Sequence, residues 1–182
     1  MRTHIRNVAH LAVGCALAAL TAGCATMTVN SYLERGVDLH QYRSYTWGPA
    51  DATSTGDPRL DNNRFFDERV RAQVEQQLAS RGFEKAGDGK ANMLVHYHAS
   101  VSQEIDIRSL DGSESYCATS DCKPFIYDKG TLFLDLVDAA TSRVLWRGWA
   151  EGSVDGVIDN QGAMESRIDE AVAKILSGLP RL

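Results

Sequence analysis

The sequence predicts an α+β fold, a mainly antiparallel sheet of about four to five strands with two amphipathic helices packed on one face. Three observations carry it. Between about Asp61 and Arg81, Phe66, Val70, Val74 and Leu78 recur every fourth residue among charged neighbours, one apolar stripe of a helix. Asn92–Gln103, Thr131–Asp138 and Arg143–Val154 each alternate their side chains with the period of two that marks a strand. Short connections between the last strands make them antiparallel neighbours, and strands broken by one helix and closed by another follow an α+β order.

The chain begins with a segment outside that fold. Arg2 and Arg6 precede Val8–Leu20, an uncharged and largely apolar run too short for the ~20 residues a membrane-crossing helix needs. A basic start, a short apolar middle and small residues at the end describe a secretory signal. Leu20-Thr21-Ala22-Gly23-Cys24 resembles the lipobox of bacterial lipoproteins, although Thr21 stands where Leu is commonest. That resemblance implies lipid transfer to the Cys24 thiol, cleavage after Gly23 and acylation of the new amine. Cys15 is a poorer choice because it leaves too short an apolar region. Two or more acyl chains anchor stably where one binds only marginally. The bilayer is thus an expected partner through Cys24. Ala25, with no Asp after the cysteine, favours the outer membrane and the periplasmic side by the same resemblance.

Residues 1–23 are read as signal peptide, 24–30 as lipidated tether and 31–182 as a single domain. The signal carries two of the 19 basic residues and none of the 24 acidic ones, leaving 17 against 24 and a net charge of −7. A negative domain without a basic cluster argues against nucleic acid, whose phosphates are held by Lys and Arg. It argues equally against polybasic attraction to anionic lipid. Cys117 and Cys122 lie in the polar stretch DGSESYCATSDCKPF and are read as a loop disulfide, which an oxidising compartment permits. One Cys-x4-Cys pair alone is weak evidence for a metal.

The remaining elements follow in order. Thr28–Leu33 and Tyr42–Trp47 are extended, the second with Tyr45 and Trp47 on one face and assigned to the core. GPADATSTGDPRLDNN, residues 48–63, is a connection to the first helix, which Gly82 ends in the left-handed cap position. In the next strand Met93, Val95, Tyr97, Ala99 and Val101 share one face, while His96, His98 and Ser100 take the other. Thr131–Asp138 and Arg143–Val154 form a hairpin across AATS. The last helix, Gln161–Ser177, carries Ile168, Val172, Ile175 and Leu176 on one side and stops at Gly178 and Pro180.

VDLHQYRSYTW, DERVRAQVEQQLASRGF, NMLVHYHASV, GTLFLDLVDAATSRVLWRGWAEG and RIDEAVAKILSGLP resemble, in this order, the small bacterial lipoproteins grouped as the domain of unknown function 4136. WRGWA is the most distinctive fragment. The resemblance implies an α+β fold on an envelope lipoprotein and assigns no activity. The middle loop departs from it, since many relatives look Gly/Tyr-rich where this chain has two cysteines.

No motif for chemistry emerges. There is no Gly-x-Ser-x-Gly elbow, no phosphate loop and no dinucleotide fingerprint. Asp135 and Asp138 fall on opposite strand faces, and no cofactor is implied. His96 and His98 project to one side, a spacing that can seat a metal if Asp135 supplies a third ligand and Glu151 a base. The plainer reading is two histidines on the solvent face of a sheet. If Val95, Tyr97, Leu132, Leu134, Leu136, Val144 and Trp146 face the helices, the opposite face shows His96, His98, Phe133, Asp135, Arg147, Trp149 and Glu151. Aromatic and Arg residues together are what binding faces favour. Asp135 with Arg147 and Phe133 with Trp149 serve equally as cross-strand pairs that stabilise a half-wet sheet. The expected function is a non-enzymatic module that binds an envelope component, an envelope protein included. A metal-dependent hydrolase centred on His96 and His98, and a structural spacer, are the alternatives.

Overall fold

The computed structural model describes residues 27–49, 54–87, 91–106 and 125–182. The signal peptide with Cys24 and the Cys117/Cys122 loop lie outside the described residues. The fold is α+β, two helices on a sheet of six strands ordered β1-β6-β5-β4-β2-β3. In chain order these are β1 (Thr28–Leu33), a 3-10 turn (Leu39–Gln41), β2 (Ser44–Trp47), α1 (Arg64–Ala79), β3 (Glu84–Lys85), β4 (Met93–Asp106), β5 (Phe125–Asp138), β6 (Val144–Ser153) and α2 (Gln161–Ser177). β1 begins inside the stretch assigned to the tether.

The sheet is mainly antiparallel, as expected, through β1–β6, β6–β5 and β5–β4, and it adds two features that the sequence did not signal. It is mixed, because β2 runs parallel to both β4 and β3. It also has one strand more than expected, since the two residues of β3 are too few to leave a periodic signal. Parallel pairing at this edge follows from connectivity: α1 returns the chain from β2 to β3, a crossover that only a parallel pair requires. β4 and β5 pair antiparallel over fourteen positions, from Met93↔Asp138 to Asp106↔Phe125, so both run well beyond their expected ends.

Both helices start and stop where local chemistry allows. Asn63 and Asn160 accept hydrogen bonds from Phe66 N–H and Ala163 N–H and so cap α1 and α2. At the end of α1, Gly82 has φ +92°, Phe83 N–H reaches Leu78 C=O and Gly82 N–H reaches Ala79 C=O. That 6→1 and 5→2 pair is a Schellman stop, whose left-handed residue favours glycine because no Cβ is there to clash. Val70, Val74 and Leu78 of α1 and Met164, Ile168, Val172, Ile175 and Leu176 of α2 are buried against Val95, Leu134, Leu136 and Trp146 of the sheet. Arg69 joins the helices, bonding Asp169 through Nε (2.7 Å) and reaching Glu165 at 2.9 Å.

Within β6 the motif WRGWA serves both faces at once. Trp146 is 1% exposed, and its ring lies forward along its own strand over Gly148. A Cβ at position 148 would stand 2.3 Å from Trp146 Cη2 and 2.6 Å from Ile175 Cγ2. The missing side chain is thus the space that a buried indole occupies beneath α2. One step back, the β5–β6 register shifts between Leu136 and Val137, leaving Leu145 as an extra residue. At such a bulge successive side chains need not oppose one another. Leu145 is fully buried in the core, although strict alternation assigns it to the open face. Val144 is only half-buried, although it was expected beneath the helices.

The β5–β6 turn is held by one carboxylate. Asp138 Oδ1 accepts from the backbone N–H groups of Ala140 and Thr141, and Oδ2 accepts from the Tyr42 hydroxyl at 2.7 Å. The Tyr42 hydrogen bond, followed by the Thr141 N–H, lowers the Asp138 pKa from 3.8 to about 2.

Gly148→Ala is expected to destabilise the protein by about 1–3 kcal/mol, the cost of overpacking a filled core, read as a lower urea midpoint. For Asp138 the folded pKa is depressed, so its contribution is complete above the unfolded value of 3.8 and disappears as pH falls through about 2. Tyr42→Phe removes the largest cause and should flatten that acid limb in thermal midpoints measured across the interval.

Candidate functional site

The face of the sheet away from the helices is built from rows of directly opposed residues. One row reads Tyr32–Arg147–Asp135–His96, and the next reads Asn30–Trp149–Phe133–His98. These two rows hold six of the seven residues that sequence reasoning assigned to a binding face. Glu151 lies one row further along, opposite Thr28 and Thr131. Lys129 Nζ sits 3.9 Å from Glu151 and 2.5 Å from Glu104.

Asp135 and Arg147 dominate the first row. The carboxylate is only 4% exposed, and both its oxygens are held, by Arg147 Nε at 2.7 Å and Nη2 at 2.6 Å. This fork-to-fork arrangement is the strongest geometry available to a guanidinium and a carboxylate. It raises the Arg147 pKa, the Asp135 bonds outweighing partial desolvation. The guanidinium carbon also lies 5.9 Å from the Phe133 ring centre. In the second row Phe133 and Trp149 stack with centroids 6.3 Å apart and planes 27° apart. Both cross-strand pairs proposed from sequence therefore form. The result is a short polar and aromatic platform, with the Arg147 side chain 44% exposed.

The residues invoked for metal-assisted hydrolysis do not assemble. His96 does lie opposite Asp135, but Asp135 spends both oxygens on Arg147, and Glu151 is displaced along β6. His96 packs instead on backbone: a Cβ at Gly48 would fall 2.0 Å from its Cε1. Among the described residues no three His, Cys, Asp or Glu side chains converge on one point.

Sequence reasoning missed a second feature, an open groove of about 560 Å³ between the start of α1 and the β2 side of β4. Trp47, Phe66, Arg71 and Tyr97 line it, with His96 and His98. Trp47, expected in the core, and Tyr97, expected on the helix-facing side of its strand, are both half-buried and meet edge-on at 6.3 Å. Arg71 lies 4.5 Å from the Trp47 ring centre. Asp67 ties the wall together, taking Arg71 Nε at 2.8 Å and the Tyr97 hydroxyl at 2.7 Å. Burial, then that hydrogen bond to Asp67, pushes the Tyr97 pKa up. Trp47 Nε1–H donates to Glu75, which Lys85 also contacts. Burial would raise the Glu75 pKa, but these two donors hold it below its ordinary value. The wall's polar groups thus satisfy one another, leaving the rings as its most open chemistry.

Residues 29–181 match the family described as Domain of unknown function (DUF4136). The chain belongs to that family. Among solved structures, a PDZ domain protein from Parabacteroides distasonis is similar at 15% identity and a TM-score of 0.52, covering 94% of this chain. This chain spans 40% of that protein's length. A PelC dodecamer from Paraburkholderia phytofirmans is similar at 15% identity and a TM-score of 0.46, covering 86% of this chain and 99% of its own. A DUF4136 family protein from Bacteroides thetaiotaomicron gives 12% identity and a TM-score of 0.45, covering 79% and 92%. No protein of curated function matches the chain. Membership in DUF4136 fixes the family and carries no activity with it.

Removing Arg147 strands a buried carboxylate. Arg147→Ala is expected to cost about 2–3 kcal/mol, below the figure for a wholly buried pair because the guanidinium is partly solvated. Asp135→Asn, which keeps an acceptor and discards the buried charge, should cost less. Urea unfolding of the two variants side by side checks the order.

Proposed function

We propose that this DUF4136 protein is a lipid-anchored module of the outer membrane that faces the periplasm and binds an envelope component without catalysing a reaction. Acylated Cys24 would hold the domain at the bilayer and confine its search for a partner to the membrane plane. The lipobox-like Leu20–Cys24 and the basic, short, apolar segment before it support the address. Among the described residues no helix is long and apolar enough to cross a membrane.

The observation that carries the binding reading is the platform on the open sheet face. Trp149 stacks on Phe133, and Arg147 is fixed beside them by a buried carboxylate rather than left to wander. Rings and a preorganised guanidinium bind at low entropic cost, because little freedom remains to be lost. The groove beside Trp47 adds an aromatic wall at the other end of the same sheet.

The address and the binding have separate tests. Mass spectrometry of the native protein should find residue 24 at the N-terminus carrying fatty acyl groups, and Cys24→Ala should abolish labelling by a palmitate analogue. An unmodified thiol or an uncleaved start overturns the anchor. A photo-crosslinking residue at Trp149 in living cells should yield one reproducible adduct that weakens about tenfold when Arg147 is replaced by Lys. No reproducible adduct overturns the binding reading and leaves a spacer.

A further inference from the structure

The two edges of the sheet are treated very differently. At one end stands β3, two residues long and made of Glu84 and Lys85. Short length and charge are the usual devices that stop an edge from pairing with another chain. At the other end stands β1, TVNSYL, with neither charge nor proline and with five of its six residues exposed. Tyr32 is 50% exposed and Leu33 40%, which puts both among the four exposed large hydrophobics of the described residues.

The register of β1 tells which backbone groups are open. Glu34 N–H donates to Leu145 C=O at 2.9 Å, continuing the antiparallel pairing in which Leu33 faces Trp146. Alternation then turns the N–H and C=O of Thr28, Asn30 and Tyr32 toward β6, and those of Val29, Ser31 and Leu33 away from the sheet. Three donors and three acceptors therefore face outward in a row.

We infer that this edge is the dimerisation surface of the protein, and that its partner is β1 of a second copy, paired antiparallel about Ser31. The self-complementarity of the segment selects that occupant. With Ser31 opposite the partner's Ser31, Val29 lies opposite the partner's Leu33, and Leu33 opposite the partner's Val29. All six outward groups of each copy are used in this register. On the open face Asn30 meets the partner's Tyr32. A slip of one residue sets helix-side residues against open-face ones, and a slip of two leaves Val29 or Leu33 unpaired. The centre also has to be small, because the last turn of α2 closes over it. A Cβ at Gly178 would stand 2.8 Å from Ser31 Oγ.

Pairing of this kind makes one twelve-stranded sheet from two copies of six strands. It also joins the two open faces. The row His98–Phe133–Trp149–Asn30 of one copy runs on into the row that starts with Tyr32 in the other. The dimer does not depend on the binding reading, since its contacts lie within β1.

Native mass spectrometry and sedimentation of the full chain in detergent test the inference. The wild-type protein is expected as a dimer. Ser31→Pro removes one outward N–H and no bond to β6, a position where an edge strand tolerates proline. Leu33→Lys adds the missing guard. Each should weaken dimerisation at least about tenfold with circular dichroism unchanged. Charge pairs read the register: Asn30→Glu with Tyr32→Glu should give monomers, whereas Asn30→Lys with Tyr32→Glu should restore the dimer. A monomeric wild type overturns the inference. So does an assembly of any size that keeps its mass in both folded single variants, or one in which the two charge pairs behave alike.

Discussion

A buried tryptophan lying over a glycine two residues along its own strand is the contact on which the rest of this molecule depends. β6 is bounded by β1 on one side and β5 on the other, and α2 presses down on it through Ile175. The Trp146 indole is the largest fully buried side chain of the described core. It fits only because position 148 contributes no Cβ. If that space closed, the indole would have to leave the plane in which Val95, Leu136 and Trp146 lie in register across three strands. Helix placement, sheet spacing and the facing of Arg147 and Trp149 would change together, since alternate residues of one strand set both faces.

The opposite face is organised on a different principle. Hydrophobic burial is weak there, and a bidentate ion pair between adjacent strands does the fixing. Such a pair is poor evidence of net stabilisation, since desolvating the carboxylate offsets much of the attraction. Its value is geometric. With both Asp135 oxygens committed, Arg147 has one orientation, and the ring of Phe133 beside it is held between a guanidinium and an indole. The same commitment takes both Asp135 oxygens away from the third-ligand role that a metal at His96 and His98 would need, and it leaves the proposed binding reading a preorganised guanidinium.

Much of this was legible in the residues. Four-residue spacing located both helices, and for α2 the boundaries agree to the residue. Period two gave β4, β5 and β6, and alternation paired Asp135 with Arg147 and Phe133 with Trp149, because cross-strand neighbours follow once hairpin register is known. What escaped was whatever depends on irregularity or on distant parts of the chain. The bulge at Leu145 breaks the rule that alternation relies on. The parallel insertion of β2 beside β4 has no local signature, since a strand of four residues does not announce its neighbour. The groove was invisible for the same reason: Trp47, Arg71 and Tyr97 sit on three separate elements, and only the fold brings their side chains together.

β4 finds β5, and β5 finds β6, through connections that close early at modest entropic cost. β1 has to wait. Its partner is the last strand of the sheet, so most of the chain must be in place before the first strand has anything to join. Contacts made across such a separation form late in folding. Substitutions in β1 therefore govern how long the finished protein stays shut far more than how quickly it closes. During that wait β6 offers an unoccupied flank to any β1 nearby, its own or a neighbour's.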